Sequence, residues 1–290
     1  MKLTFTTLDA FTSTPYTGNP VAIISVPAKA KDTLTQSQKQ SIASEFNLSE
    51  IVFLHQPASS SNERQIDIFT SHAEVPFAGH PTIGTSHYLL KTTKQDVDTL
   101  VTKAGRIPIW IDGLSKNVKA RIPQDYHQHE ITWSSPLNTL ANPTCSIVNG
   151  MSFIMVELST LEELGRAKEK GNLAIDTYDP TPLDSGWQNG LIGTMYFVAQ
   201  GVDELGRKKY RTRMFGSRED PGTGSASSAL GCFLALRGEE RESRFVFVQG
   251  VEMGRRNEIE VEVVRGGAGD VQKVLLSGAA VTVMEGSLEV

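Results

Sequence analysis

"EVPFAGHPTIGTSHYLL" spans residues 74–90, and "EDPGTGSASSALGCFLA" spans residues 219–235. Set in register, they share Glu74 with Glu219, Pro76 with Pro221 and Gly79 with Gly224, at an offset of 145 residues in a chain of 290. Each glycine turn runs into a stretch that begins with small residues and becomes apolar on nearly every face, through Tyr88-Leu89 in one copy and Phe233-Leu234 in the other. A helix that is apolar all round has no face to give to water, so it belongs inside the fold. Each copy therefore reads as a glycine turn opening a helix enclosed by a sheet.

The surroundings of the two stretches repeat at the same offset. "EIVFL" (residues 50–54) stands opposite "MYFVA" (residues 195–199), the alternating stretch Gln65–Phe69 opposite Tyr210–Phe215, and Gly105 opposite Gly250. Strand patterns dominate, with helical stretches at Ser37–Phe46 and Leu161–Gly171 besides the two enclosed helices. Regular βαβ alternation is missing, which argues against a doubly wound parallel sheet. The expected fold is α+β: two pseudo-symmetric domains, each a curled mixed or antiparallel sheet around a central helix. The boundaries are 1–130 and 131–290, with the first half open to taking in the C-terminal strand as well. A linker is expected somewhere within Gln124–Asn149, a stretch that is polar and carries Pro136 and Pro143. Within it His127 and His129 would face one side of a strand, as metal ligands require. With only Glu130 nearby to complete a site, the pair reads as solvated linker and no metal is expected.

Composition narrows the partners. The net charge is −5 and the hydrophobic fraction 39%, values of an ordinary globular protein with no concentrated cationic face for nucleic acid. No apolar run approaches the roughly 20 residues that span a bilayer. The N-terminal "MKLTFTTLDAF" alternates like a strand and lacks the apolar core of a signal peptide. Two cysteines, Cys145 and Cys232, are too few for a disulfide framework or a cysteine-built metal site. The expectation is a cytoplasmic protein. Its long β-rich stretches, such as "IEVEVV" at residues 259–264, expose edges that tend to pair, so a homodimer is expected.

A glycine turn that opens a helix presents backbone N–H groups and the positive end of the helix dipole to an anion. Neither copy is a phosphate loop, since no GxxxxGK[ST] occurs, and a small carboxylate is the alternative. The titratable neighbours differ between copies: Glu50 is matched by Met195, His80 by Ser225 and Asp220 by Val75. Folding of a duplicated scaffold requires none of these polar groups, whereas a site acting on an asymmetric substrate does. Glu50 begins an apolar strand, where partial desolvation favours the protonated acid and suits acid/base work.

"DAFTSTPYTGNPVAII" (residues 9–24), "NLSEIVFL" (47–54), "EVPFAGHPTIG" (74–84), "EDPGTGSA" (219–226) and "QGVEMGR" (249–255) together resemble the PhzF-like phenazine-biosynthesis family, in order and over most of the chain. The resemblance implies a diaminopimelate-epimerase-like fold and a cofactor-free isomerase with its site in the cleft between the halves. It implies Glu50 as the acid/base, assisted by His80 and Asp220. It further implies a substrate carboxylate held by Gly79, Gly224 and Ser225, and Ser49 orienting Glu50. Related epimerases carry a thiol just before each turn glycine, where this chain has Ala78 and Thr223. Neither can act as a thiolate, which leaves a one-base proton shift within a small amino or hydroxy carboxylic acid. The rivals are a non-thiol epimerase or racemase of a small acid, and a catalytically silent small-acid-binding or regulatory protein.

Overall fold

The computed structural model describes every residue except Ala58 and Ala268. The chain forms two compact units, residues 1–123 with 277–290, and residues 124–276.

In the first unit β1 (Lys2–Ala10) and β2 (Asn19–Val26) pair antiparallel, and the C-terminal strand Ala280–Glu289 lies along the other edge of β1. Helix α1 (Gln36–Phe46) starts at a capping box between Thr35 and Gln38 and stops at Asn47, whose left-handed φ of 48° ends the helical hydrogen bonding. It leads into β3 (Glu50–His55), which is parallel to β2. β4 (Glu63–Phe69) runs antiparallel to β3, and the two-residue β5 (Glu74–Val75) folds back on β4. Then come α2 (Gly79–His87), β6 (Thr99–Thr102) parallel to β4, β7 (Gly105–Ile111) and β8 (Val118–Arg121).

Strand parity sorts the side chains of β3. Ile51 and Phe53 join Ala22, Ile24 and Phe69 in a cluster closed by Ala43, Ile42 and Phe46 of α1. Successive strand residues point to opposite faces, so Glu50, Val52 and Leu54 face away from α1, on the side where α2 packs.

The second unit repeats the pairings. β9 (His127–Ser134) and β10 (Ala141–Val148) are antiparallel, as are β10 and β11 (Gly150–Glu157). After the short α3 (Leu161–Arg166), capped by a Thr160–Glu163 box, β12 (Gly190–Val202) lies parallel to β11 and β13 (Lys208–Phe215) antiparallel to β12. The two-residue β14 (Glu219–Asp220) folds back on β13. It precedes α4 (Gly224–Arg237), β15 (Glu242–Gln249) parallel to β13, and β16 (Asn257–Arg265) antiparallel to β15. Parallel, antiparallel, fold-back, helix, parallel, antiparallel is the order in both units. Most of the stretch 124–149 is strand: it supplies two strands of the second sheet, and Pro143 sits beside a register irregularity of β10, a place where a strand tolerates proline.

Both central helices are buried as their composition requires. Residues 79–86 of α2 and 224–233 of α4 are all buried. Their hydroxyls turn inward onto the helix itself: Thr82 donates to the Ala78 carbonyl, Ser86 to Thr82 and Ser228 to Gly224, at 2.7–2.8 Å. That bonding satisfies these three donors within an apolar sleeve, whereas the buried hydroxyls of Thr85 and Ser227 have no hydrogen-bond partner among the described residues. Gly84 rests directly on β2, where a Cβ would come within 2.6 Å of the Val21 side chain.

Candidate active site

In the first unit, the end of α1 and the start of α2 deliver four of the expected residues to one place. Asn47 ends α1, and Ser49 follows with its hydroxyl 3.5 Å from Oδ1 of Asn19, a fully buried side chain at the start of β2. Glu50 follows Ser49 on the α2 side of β3, and Nδ1 of His80 lies 3.5 Å from its Oε2. The His80 side chain is 3% exposed and that of Glu50 is 15% exposed, so this acidic group is mostly withdrawn from water yet still reachable. His80 is the second residue of α2, directly after Gly79. Asp9 shapes the neighbouring turn: its Oδ2 accepts from the Tyr16 backbone N–H at 2.5 Å, which holds Tyr16 at a left-handed φ of 70°.

In the second unit Asp220, Gly224 and Ser225 stand together at the start of α4, all buried. The Thr223 hydroxyl donates to Oδ2 of Asp220. Two buried amides hold the turn from behind. Gln249 accepts from the Thr223 N–H at 3.0 Å and donates to the Asp220 carbonyl at 2.7 Å. Asn257 donates to the carbonyls of Pro221 and Arg255, both at 2.7 Å. Sequence reasoning passed over these supports, although Gln249 opens the "QGVEMGR" segment and so carried a signal.

The glutamates shared by the two turns are ties. Glu219 takes two hydrogen bonds from the buried Arg213, whose other arm reaches the α3 carbonyls of Leu164 and Gly165. Glu74 accepts from Gln36 at the start of α1 at 2.7 Å and pairs with Lys103. In each unit the repeated glutamate fastens the outer helix to the turn, which explains why it is the same residue in both copies while Glu50, His80 and Asp220 are not. At the position matching Glu50, Met195 is fully buried.

Both cysteines are buried. Burial pushes the Cys145 thiol up to about 12, against the hydrogen bond from the Tyr126 hydroxyl, and pushes Cys232 higher still. His55, which shows no partner in the local sequence, is held by Asp67 at 2.8 Å, and Lys39 reaches the same oxygen at 2.5 Å. No helix among the described residues is long and apolar enough to cross a membrane.

Two units with one order of strand pairings, each sheet around a buried helix that opens at a glycine turn, define an α+β protein of the diaminopimelate-epimerase-like class. The chain belongs to the phenazine biosynthesis-like (PhzC-PhzF) family, which matches residues 8–286. It is 30% identical to an uncharacterized isomerase of Pasteurella multocida over 88% of this chain and 85% of that one. It is also 30% identical to trans-2,3-dihydro-3-hydroxyanthranilate isomerase of Pseudomonas aeruginosa, over 97% of this chain and 98% of that one. Among solved structures, a PhzF-family phenazine biosynthesis protein of Bacillus anthracis superposes with a TM-score of 0.76 at 22% identity, covering 100% of both chains.

Proposed function

We propose that the protein is an isomerase that moves a proton within a small amino or hydroxy carboxylic acid, with Glu50 as the single acid/base. The observation that carries this reading is the Glu50–His80 contact of 3.5 Å at the mouth of a buried helix, in a chain whose relatives include isomerases. The Glu50 carboxylate takes a proton from a carbon next to unsaturation. The C–H bond breaks, its electron pair spreads into the adjoining π system, and an O–H bond forms on Glu50. The same proton is then returned to another carbon of that system. His80 steadies the Glu50 carboxyl through both stages. By the family resemblance, backbone N–H groups at Gly79 and Gly224 and the Ser225 hydroxyl bind the substrate carboxylate, and fixed dipoles of that kind stabilise charge that develops during the shift. By the family resemblance Asp220 assists and Ser49 orients Glu50. The buried, strongly basic positions of Cys145 and Cys232 disfavour a two-thiol epimerase, because the thiolate is the reactive form.

The test is incubation in D₂O with a panel of small unsaturated and cyclic acids, including trans-2,3-dihydro-3-hydroxyanthranilate, followed by mass and NMR spectra. Movement of a double bond in a panel member, abolished in Glu50→Gln, supports the proton shift. Inversion of one centre with the double bond in place would establish an epimerase instead. Tight binding of panel acids without any turnover would establish a binding protein.

A further inference from the structure

Within the second unit one cluster of side chains has the chemistry and spacing of a metal site. His127 and His129 are two apart on β9 and so share a face of the strand. Asp184 comes from the loop that precedes β12. Its Oδ2 lies 2.7 Å from Nε2 of His127 and 3.6 Å from Nδ1 of His129. The three ligand atoms are all within 4.8 Å of one another.

The ring of His129 is held with its second nitrogen facing this group. Its Nε2 lies 2.8 Å from the Ser146 hydroxyl, while its Nδ1 accepts from the Asp184 backbone N–H at 3.3 Å. The accepting nitrogen carries the lone pair, so Nε2 carries the hydrogen and donates it to Ser146. A ring nitrogen oriented by a hydrogen bond from its opposite nitrogen is the usual arrangement of metal-binding histidines. Oδ1 of Asp184 is engaged by the Glu130 N–H at 3.2 Å, which aims Oδ2 at both rings. Trp187 stacks on His127 with centroids 4.7 Å apart and meets His129 in a T-shaped contact at 5.7 Å, walling one side of the group.

We propose that His127, His129 and Asp184 bind a divalent transition-metal ion, zinc foremost, which clips the Asp184 loop to β9. Bonds of 2.0–2.1 Å in a tetrahedral site place ligand atoms about 3.3 Å apart. The His129–Asp184 separation is already close to that, the His127–Asp184 hydrogen bond opens by roughly half an ångström as the ion replaces its proton, and the Nδ1 lone pair of His129 passes from the Asp184 backbone N–H to the ion. Two nitrogens and one carboxylate oxygen match the ligand preferences of zinc, and water takes the fourth position beside the part-exposed His127 and Asp184. The site is a structural clip and takes no part in the proton shift.

The experiment uses tag-free, chelator-treated full-length protein titrated with zinc chloride in a calorimeter, with thermal unfolding measured alongside. One ion per chain with micromolar or tighter affinity is expected, together with a higher Tm. His127 is part-exposed, so His127→Ala should fold normally in the absence of zinc, lose affinity at least tenfold and lose the Tm increment. Ser146→Ala keeps all three ligands and should weaken binding about 10–100-fold at unchanged stoichiometry. Cobalt in place of zinc should give the visible absorption of a four-coordinate complex, absent in His127→Ala. Absence of saturable zinc binding would reduce the cluster to a hydrogen-bonded tie between strand and loop and overturn the proposal. Binding that persists undiminished in both His127→Ala and Asp184→Asn would place the ion elsewhere and overturn it equally.

Discussion

Nδ1 of His80 lies 3.5 Å from Oε2 of Glu50, and two periodicities put it there. Along β3 the odd positions 51 and 53 go to the α1 cluster, so Glu50 points to the side of α2. On α2 the glycine turn places His80 in the first turn. The polar pair is thus a consequence of where an apolar strand starts and an enclosed helix begins. The matching strand position in the other unit holds the buried Met195.

Glu50→Gln keeps the size and most of the hydrogen bonding of the side chain but cannot take up a proton. General acid–base catalysis contributes about 10²–10⁴-fold, so turnover should fall by at least that factor with binding of small acids and Tm retained. His80→Asn and Asp220→Asn should each cost less, since they position and polarise without carrying the transferred proton. Steady-state kinetics on the panel acid that turns over, beside thermal unfolding, checks all three. Near-normal turnover in a folded Glu50→Gln protein would move the acid/base elsewhere, with Asp220 next in line.

The thiols should be dispensable. Cys145 and Cys232 are buried, and burial raises both pKa values far above neutrality. An alkylating reagent at neutral pH should leave the native protein unmodified and label two thiols once it is unfolded, because reactivity follows thiolate fraction and access. Cys145→Ala and Cys232→Ala should retain turnover while losing some stability from the space each sulfur leaves. Loss of turnover with the fold intact would restore a thiol mechanism.

What the sequence made legible was whatever repeats or alternates locally. The 145-residue offset led to the repeated order of pairings, and the small-then-apolar run of residues 84–90 and 225–236 led to the two enclosed helices. Glu50, His80 and Ser49 fell in one neighbourhood, and Asp220, Gly224 and Ser225 in another, as short motifs allow. Hidden were relationships that tertiary structure alone creates. His127 and His129 find Asp184 more than fifty residues on. His55 meets Asp67 across a strand pair and Lys39 from α1. The 124–149 stretch misled because β9 is polar on its exposed face and β10 contains Pro143, two marks of a loop that a strand with a register irregularity also tolerates.

Stability should depend on pH through Asp67. Burial alone would raise its pKa, but the hydrogen bonds and positive charges of His55 and Lys39 outweigh it and lower it to about 2. The folded-state value therefore lies below that of the unfolded chain, so on acidification the unfolded state takes up the proton first. The stabilisation is complete above about pH 4 and disappears between pH 4 and about 2. Urea midpoints measured at pH 6 and pH 3 should differ less in Asp67→Asn than in the wild-type protein. An unchanged difference would mean that other carboxylates dominate the acid limb.

Gly105 and Gly250 occupy matching positions 145 residues apart, yet their tolerance of a side chain should differ. Both are left-handed in sign, with φ of 109° and 75°, so alanine at either carries backbone strain of about 1–3 kcal/mol. Space separates them. A Cβ on Gly105 meets nothing within 4 Å, whereas one on Gly250 would come inside 3.0 Å of the Arg255 and Pro221 carbonyl oxygens. Those are the two carbonyls that Asn257 holds behind the Asp220 turn, and backbone atoms cannot step aside as a flexible side chain can. Overpacking adds typically 1–3 kcal/mol, so Gly250→Ala should be less stable than Gly105→Ala by roughly that amount in urea unfolding. If Gly250→Ala folds, its turn must shift, and turnover should fall beyond what the lost stability explains, while Gly105→Ala keeps normal kinetics. Equal midpoints for the two variants would show that strain, and not the crowding behind the turn, is what reserves position 250 for glycine.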